Sequence, residues 1–441
     1  MVPLMYARSL KKLVFHRKCL ILLVVITAPF FLLTYARRGN TLLKNDLARD
    51  SSEYSVNMRK QLTYNEEEYS VVGDRFRRRR EHLQSQCNSM QGYFEIQNSE
   101  NAVKEHLTID KKNNLVYCAI EKIGCTFWKR VFQIISGFRN VTDPFQIQGI
   151  RAYEGYLTAK GMPFDRIHYI LKHSTKFMFV REPYERLLSG YVDKLFAPNA
   201  AYWSFIGTFI VQQFRQNGTT REQRCGDDVT FEEFVRYFIH SQHNNMRRDA
   251  HFVPNFEHCR PCEIDYEYVG KLETFEEDTL YLLKKLNLDD KVKFNNFERE
   301  TERDAIIDAA DYVFSMQRAI NRCMTMHEAL FRAYRKLQIR GIISKHVPFP
   351  FAKVTNREIG INEYKQALLA AHEESGPSSS RKTNRKEAFL EAYSKLPQDL
   401  MMKLKEDLSI DANLFGYETY PESLKNREAY KSDFQYFQIK Q

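Results

Sequence analysis

Cys118–Trp128 reads CAIEKIGCTFW. Leu115–Ile120 is a short apolar run of the length of a buried strand. A tight segment with Lys122, Gly124 and Thr126 follows, and then Trp128, Val131, Phe132 and Ile135 fall at i, i+3, i+4 and i+7, the stripe of a helix. The unit therefore reads strand, glycine-containing loop, helix N-terminus. Such a turn aims several backbone N–H groups and the positive end of a helix at one point, which suits a phosphate. Lys122 adds a mobile cation and Thr126 a hydroxyl donor. No GxxxxGK[ST] stretch is present, so this is not a Walker loop.

A second unit of the same kind lies about 60 residues on, in KFMFVREPYERLLSGYVDK, Lys176–Lys194. Phe177–Val180 is a short strand, Arg181 stands at its carboxyl end, and Pro183 sits near a helix start. Ligands of open α/β sheets bind at the carboxyl ends of strands. Arg181 is placed to fork onto a phosphate, and Ser189 offers a further hydroxyl. Downstream, Thr230-Phe-Glu-Glu233 and Thr274-Phe-Glu-Glu277 read as helix caps, and Tyr266–Leu272 as a strand. Between them a loop-rich stretch carries His251 and the Cys259-Arg-Pro-Cys262 pair. No second CxxC or HxxxH accompanies that pair, so structural disulfides are favoured over zinc.

The chain has 441 residues, 43% of them hydrophobic, and a formal net charge of +10, which suits an anionic partner; no nucleic-acid-binding motif stands out. Cys19–Tyr35 is an almost unbroken apolar run flanked by Arg8, Lys11, Lys12, Arg17 and Lys18. This predicts a type II signal anchor: residues 1–18 cytoplasmic, 19–36 a transmembrane helix, everything beyond lumenal. Residues 37–85 read as a stem, in which Arg75 and Arg77–Arg80 form a solvated basic face. The lumenal domain is expected over 86–420, with an insertion at about 295–390 that includes a flexible linker, Glu374–Lys386, and with a tail at 421–441. Asn140-Val-Thr and Asn217-Gly-Thr are then glycosylation sites. Seven of the eight cysteines lie beyond the anchor, so at least one is unpaired within the chain.

Together these stretches resemble Golgi carbohydrate sulfotransferases, in particular the chondroitin/dermatan 4-O-sulfotransferase-like group. KIGCTFWKRVF is similar to the 5′-phosphosulfate loop, FVREPYERLLSGY to the 3′-phosphate motif RxPxxRxxSxY, and HFVPNFEHCRPCEIDYEYVGKLETFEED and the terminal LFGY to further stretches of that group. The resemblance implies a P-loop-like α/β fold with a central, mainly parallel sheet flanked by helices. It implies 3′-phosphoadenosine 5′-phosphosulfate as donor, a glycan hydroxyl as acceptor, and a Golgi membrane location. Carried over by position, Lys122, Gly124, Cys125, Thr126, Phe127 and Trp128 form the 5′ loop, and Arg181 and Ser189 hold the 3′-phosphate. Backbone amides and cations suffice for that donor, so no metal is expected. Lys122 would act on the leaving group, and a histidine suits the role of base toward the acceptor hydroxyl. His251 is the candidate, with His173 and Glu273 as rivals. The chain departs from the pattern at Glu121, where the family usually has proline. Two readings follow: a variant whose carboxylate turns away or pairs with a cation, or an impaired donor site in an inactive, membrane-anchored glycan-binding protein.

Overall fold

The computed structural model describes residues 66–90, 103–244, 246, 248–352 and 357–438. Its strands are β1 (Leu107–Asp110), β2 (Leu115–Cys118), β3 (Leu157–Thr158), β4 (Thr175–Val180) and β5 (Tyr268–Lys271). They form one sheet in the order β3-β1-β2-β4-β5. β2, β4 and β5 run parallel, whereas β1 pairs antiparallel with both β2 and β3. The sheet is thus mixed, not mainly parallel. β1 follows β2's direction in reverse because only a four-residue turn separates them, and a parallel return needs a crossover of a dozen residues or more. The parallel part is what matters for the site. It brings the carboxyl ends of β2, β4 and β5 to one edge, with Cys118 beside Met178 and Val180 beside Lys271.

The helices used below are α1 (Glu66–Ser89), α2 (Cys125–Ile135), α3 (Phe164–His173), α4 (Pro183–Tyr191), α5 (Phe231–His243), α6 (Asn255–Cys259), α7 (Phe275–Lys285), α8 (Phe297–Ser315), α9 (Met326–Ile339), α10 (Ile361–Glu374), α11 (Ser378–Ser394) and α12 (Gln398–Phe415). α2 buries the stripe its spacing predicts, Trp128, Val131, Phe132 and Ile135. Trp128 packs on Tyr117 of β2 and on Phe177 and Phe179 of β4. A second core lies under α4, α5, α11 and α12, with Leu187, Phe234, Phe238, Tyr393 and Met401 at its centre. A third joins α8, α9 and α10 through Ile306, Tyr334, Leu337 and Tyr364. Thr230 caps α5 as part of a complete capping box. Thr274 does not cap α7: its hydroxyl donates to Asp278 instead, at 2.7 Å.

Several boundaries differ from the sequence expectation. Residues 66–85, read as stem, belong to α1, which packs on β5, α7 and α12. The basic cluster is not simply a solvated face. Arg75 and Arg79 reach the fully buried Asp278 at 2.8 and 2.7 Å, while Arg77 pairs with Asp74 and Glu81 and Arg80 with Asp265. Asp278 also accepts from Lys271 N–H, so four donors hold it. The supposed linker is the end of α10 and the first half of α11, anchored by the buried Arg381 and Asn384, which donate to main-chain carbonyls at 341–343. The tail at 421–438 packs back: Tyr436 N–H donates to Glu391 and Arg427 donates to the Tyr393 and Leu396 carbonyls. Among the described residues no helix is long and apolar enough to cross a membrane, and the apolar run at 19–36 lies outside them.

Three disulfides close long loops: Cys87–Cys262, Cys118–Cys259 and Cys225–Cys323. Both cysteines of the CxxC are used, each to a different partner. Cys125 is left as a buried free thiol among the described cysteines.

Asp278→Ala leaves two guanidinium groups facing a buried void. We expect a loss of about 3–5 kcal/mol in unfolding free energy, the cost of breaking a buried ion pair, measured by chemical denaturation. A loss below about 1 kcal/mol would mean that α1 is not docked through this carboxylate.

Candidate active site

The loop between β2 and α2 is built on two left-handed residues, Lys122 (φ 69°) and Gly124 (φ 74°). Gly124 is obligatory on two counts. Its φ disfavours a side chain, and a Cβ there would stand 2.5 Å from the Phe275 ring. Lys122 holds the same conformation with a side chain, a strain that a packed surrounding must offset. No side chain caps α2, so its first backbone amides remain available at the sheet edge. The residues assigned to this loop divide accordingly. Lys122, Gly124 and Thr126 are partly exposed, whereas Cys125, Phe127 and Trp128 are buried. Phe127 packs among Phe145, Phe275, Phe294 and Phe297. Any contact those three make with a ligand is through the backbone; their side chains brace the loop from below.

Lys122 Nζ lies 3.1 Å from Asp193, which also pairs with Lys194 (3.2 Å) and Lys336. Asp193 and Lys194 sit in a π-turn, Val192–Phe196, that continues α4, a local irregularity of the kind that often marks functional positions. Arg340, just past α9, is within electrostatic reach of Asp193 and of Arg181. Burial pushes the Lys122 ammonium down to about 8, against the pull of Asp193, and the neighbouring Lys336, Lys194 and Arg340 add to that depression. Asp193 is held well below the usual carboxylate range: burial opposes its ionisation, but the surrounding lysines outweigh it.

Arg181 lies buried at the end of β4. It donates to the Lys122 carbonyl at 3.4 Å and to Glu185 at 3.1 Å, and its Nε is buried without a hydrogen-bond partner. Arg385 of α11 pairs with the same Glu185 carboxylate. Ser189 lies half-buried on α4, two turns further. Six basic side chains therefore converge on the edge where β2 and β4 end: Lys122, Lys194, Lys336, Arg340, Arg181 and Arg385. Asp193 and Glu185 pair with them directly, and Glu182 and Glu273 lie near Arg181 and Asp304 and Asp308 near Arg340. The arrangement can receive a polyanion with two separated charge centres, one at the α2 N-terminus and one at Arg181, and the unpartnered Arg181 Nε suits such an occupant.

His251 faces the same edge. Its Nδ1–H donates to Asp249 at 2.6 Å, which leaves Nε2 as the basic nitrogen, and the Tyr202 hydroxyl donates to the other Asp249 oxygen at 3.0 Å. Burial lowers the histidine below its ordinary value, partly offset by the bond to Asp249, and Lys194 lowers it further. Arg186 connects this loop to the loop between β2 and α2. It donates to the Glu121 carbonyl (3.2 Å), the Val253 carbonyl (2.7 Å) and the Ala250 carbonyl (3.2 Å). Gly190 of α4 permits the close approach, since a Cβ there would lie 3.0 Å from the His251 carbonyl.

The rivals of His251 are placed otherwise. His173 ends α3, exposed, bonded to the Tyr169 carbonyl at 2.7 Å, and precedes the amino end of β4, across the sheet from Arg181. Glu273 accepts from Glu182 N–H at 3.0 Å and from the Tyr417 hydroxyl at 2.9 Å, beside Arg181. Reading the sequence locally missed Lys194, Arg186, Asp249, Lys336, Arg340 and Arg385. The first two lie inside the quoted second unit and Asp249 two residues before His251, so position marked them. The last three come from the stretch taken for an insertion, where no local signal distinguishes them from surface charge.

Residues 105–336 match the sulfotransferase family. Carbohydrate sulfotransferase 11 of Rattus norvegicus is 37% identical over 202 residues, 45% of this chain and 57% of the relative. Carbohydrate sulfotransferase 14 of Danio rerio is 34% identical over 197 residues, 45% and 52% respectively. Carbohydrate sulfotransferase 9 of Homo sapiens is 32% identical over 223 residues, 50% of each. The chain spans about half the length of these curated relatives. No solved structure matches.

Arg181→Ala is expected to weaken binding of adenosine 3′,5′-bisphosphate by about 1.5–3 kcal/mol, the scale of a charge-assisted hydrogen bond. Isothermal calorimetry on the purified protein reads this directly. Arg385→Ala should weaken it in the same direction by less, because that side chain is half exposed. Unchanged affinity in both variants would remove the nucleotide from this edge of the sheet.

Proposed function

Because the chain belongs to the sulfotransferase family, we propose that it is a carbohydrate O-sulfotransferase. In this reading it uses 3′-phosphoadenosine 5′-phosphosulfate as donor and a glycan hydroxyl, chondroitin- or dermatan-like or the terminal sugar of an N- or O-glycan, as acceptor. The observation that carries the reading is the Arg186 clamp, which ties a phosphate-type loop and an Asp–His pair to one edge of the sheet. A cation receptor alone would suit many anionic ligands; a basic imidazole held beside it suits group transfer to a hydroxyl.

The donor supplies the sulfuryl group and a phosphate leaving group, and the rest is work for the chain. The amides of the α2 N-terminus and Lys122 hold the phosphosulfate end, while Arg181, Ser189 and Arg385 hold the 3′-phosphate. His251 Nε2 takes the acceptor hydroxyl proton as the acceptor oxygen bonds to sulfur. The sulfur–oxygen bond to phosphate breaks, its electron pair stays on the phosphate oxygen, and Lys122 offsets the charge that develops there. Asp249 fixes the tautomer and steadies the imidazolium, and Tyr202 orients Asp249. Lys194 and Lys336 keep Asp193 from neutralising Lys122 fully.

The Golgi lumen is the proposed location, with a type II anchor at 19–36. Three disulfides favour an oxidising compartment. Asn140 and Asn217 are both exposed, as glycan acceptors must be.

Labelled sulfate offered to the purified protein with a panel of glycans should appear in at least one glycan; nucleotide binding with no transfer to any would identify an inactive glycan-binding protein. His251→Ala should lower turnover by about 100- to 10,000-fold, the range for a lost general base, with nucleotide affinity near normal. In the wild type the rate should fall on the acid side as the imidazole protonates. Since burial lowers that pKa, the fall should centre below the ordinary histidine value of about 6.5. Full activity of His251→Ala with the acid limb intact would assign the base elsewhere. Full-length protein from animal cells should lose mass on treatment with an N-glycosidase, and an unchanged mass would count against a lumenal body.

A further inference from the structure

Glu121, the residue that departs from the family pattern, does not stand alone. Its side chain is mostly buried, and its Oε2 has no hydrogen-bond partner. His106, at the start of β1, presents Nδ1 to that oxygen at 4.0 Å. His106 Nε2 in turn lies 2.9 Å from Nδ1 of the buried His258 in α6, and the two rings meet at right angles with centroids 4.1 Å apart. His258 Nε2–H donates to the Ala250 carbonyl at 2.7 Å. That bond fixes the His258 tautomer and turns the Nδ1 lone pair inward.

With His106 neutral, the donors and acceptors do not all pair. If His106 carries its proton on Nε2, its bond to His258 is satisfied, but its Nδ1 lone pair faces the Glu121 carboxylate with nothing between. If the proton is on Nδ1, two imidazole lone pairs face each other at 2.9 Å. Either neutral arrangement leaves two acceptors opposed in a buried space; a second proton on His106, shared with Glu121 and the Ala119 carbonyl, or a metal cation would each close it, and the clustering of three metal-ligating side chains is what favours the metal. One donor atom from each of the three residues lies within 4.8 Å of the others. Two imidazoles and one carboxylate are the donor set of zinc, whose bonds are about 2.0–2.2 Å long. A ligating histidine whose other nitrogen donates to a backbone carbonyl is the usual orienting arrangement around such ions. The neighbourhood is also rigid before any ion arrives, because the Cys118–Cys259 disulfide joins the end of β2 to the residue after His258.

We propose that His106, Glu121 and His258 form a binding site for a zinc-class divalent cation that pins the donor loop to α6. A bound dication would replace the single negative charge of Glu121 with a net positive one, immediately before Lys122. It would also hold the Ala250–His258 segment that carries His251. The effect on the donor rests on the nucleotide reading above; the cation site itself does not.

The test uses the full-length chain, purified in detergent, stripped with chelator, and titrated with Co2+ as a spectroscopic probe. We expect one equivalent to give visible d–d absorption at the site and Zn2+ to displace it. Glu121→Gln, close in shape to the wild type, and His106→Ala should each weaken Co2+ binding by more than about tenfold. Zn2+ should raise the thermal midpoint of the wild type and not that of Glu121→Gln. Adenosine 3′,5′-bisphosphate should bind more tightly to the zinc-loaded wild type than to the stripped protein, with no such difference in Glu121→Gln. Absence of stoichiometric Co2+ and Zn2+ binding, or equal binding by wild type and both variants, overturns the site even if the nucleotide binds. Site-dependent Co2+ binding with no nucleotide binding under any condition supports the site and instead removes the donor reading.

Discussion

Arg186 donates to three main-chain carbonyls from two segments more than a hundred residues apart, Glu121 on one side and Ala250 and Val253 on the other. Its guanidinium is buried, so each of these bonds replaces one that water would otherwise make, and losing any of them leaves a charged group underbonded. A planar fork with several donors in fixed directions can serve this purpose, and a lysine could not. The end of β2 is also joined to α6 by the Cys118–Cys259 disulfide, and Gly190 lets α4 approach the His251 carbonyl closely. The proposed chemistry needs both loops in one place to within a fraction of an ångström, and this buried cation sets their spacing.

Around that clamp the cations are kept in place by few acids. Asp193 gathers three lysines and Glu185 gathers two arginines. Such hubs hold mutually repelling side chains in one orientation, three lysines around one carboxylate and two arginines around the other. The same principle operates structurally at Asp278, where Arg75 and Arg79 dock α1 against the end of β5. There the carboxylate is fully buried and the pairing fastens one element to another; at Asp193 the lysines keep some exposure and the pairing leaves them available.

The terminal regions contribute more than connection. α12 supplies Asp411, which accepts from the N–H groups of Asn255 and Phe256 and so fixes the start of α6. Tyr417 of the LFGY stretch donates to Glu273, and Lys271 reaches the Gly416 carbonyl and lies over the Tyr417 ring. α11 sends Arg385 to the Arg181 side of the site, 200 residues from its partner Glu185. The segment from about 295 to 390 is therefore not an appendage to a complete site. It provides part of the site's cation lining and a helical core of its own.

By itself the sequence determined what depends on near neighbours. The strand–loop–helix unit at 115–135 and the unit at 177–191 were legible because a buried strand, a left-handed glycine and an amphipathic stripe leave local patterns of residue type. The positions of Lys122, Arg181 and His251, at a strand end or in a loop beside a motif, were legible for the same reason; their roles are the proposal. The tertiary structure alone decided which other charges join them. Ion pairs such as Lys336–Asp193 and Arg385–Glu185 carry no periodicity, and their partners lie 143 and 200 positions away. It also decided that Phe127, which lies off the stripe that placed Trp128 in the core, is buried as well, among Phe145, Phe275, Phe294 and Phe297. The docking of the 66–89 helix and the meeting of Glu121 with His106 and His258 were likewise outside the reach of local pattern. Each depends on which surfaces remain to be covered once the sheet has formed, a quantity that belongs to the packed chain.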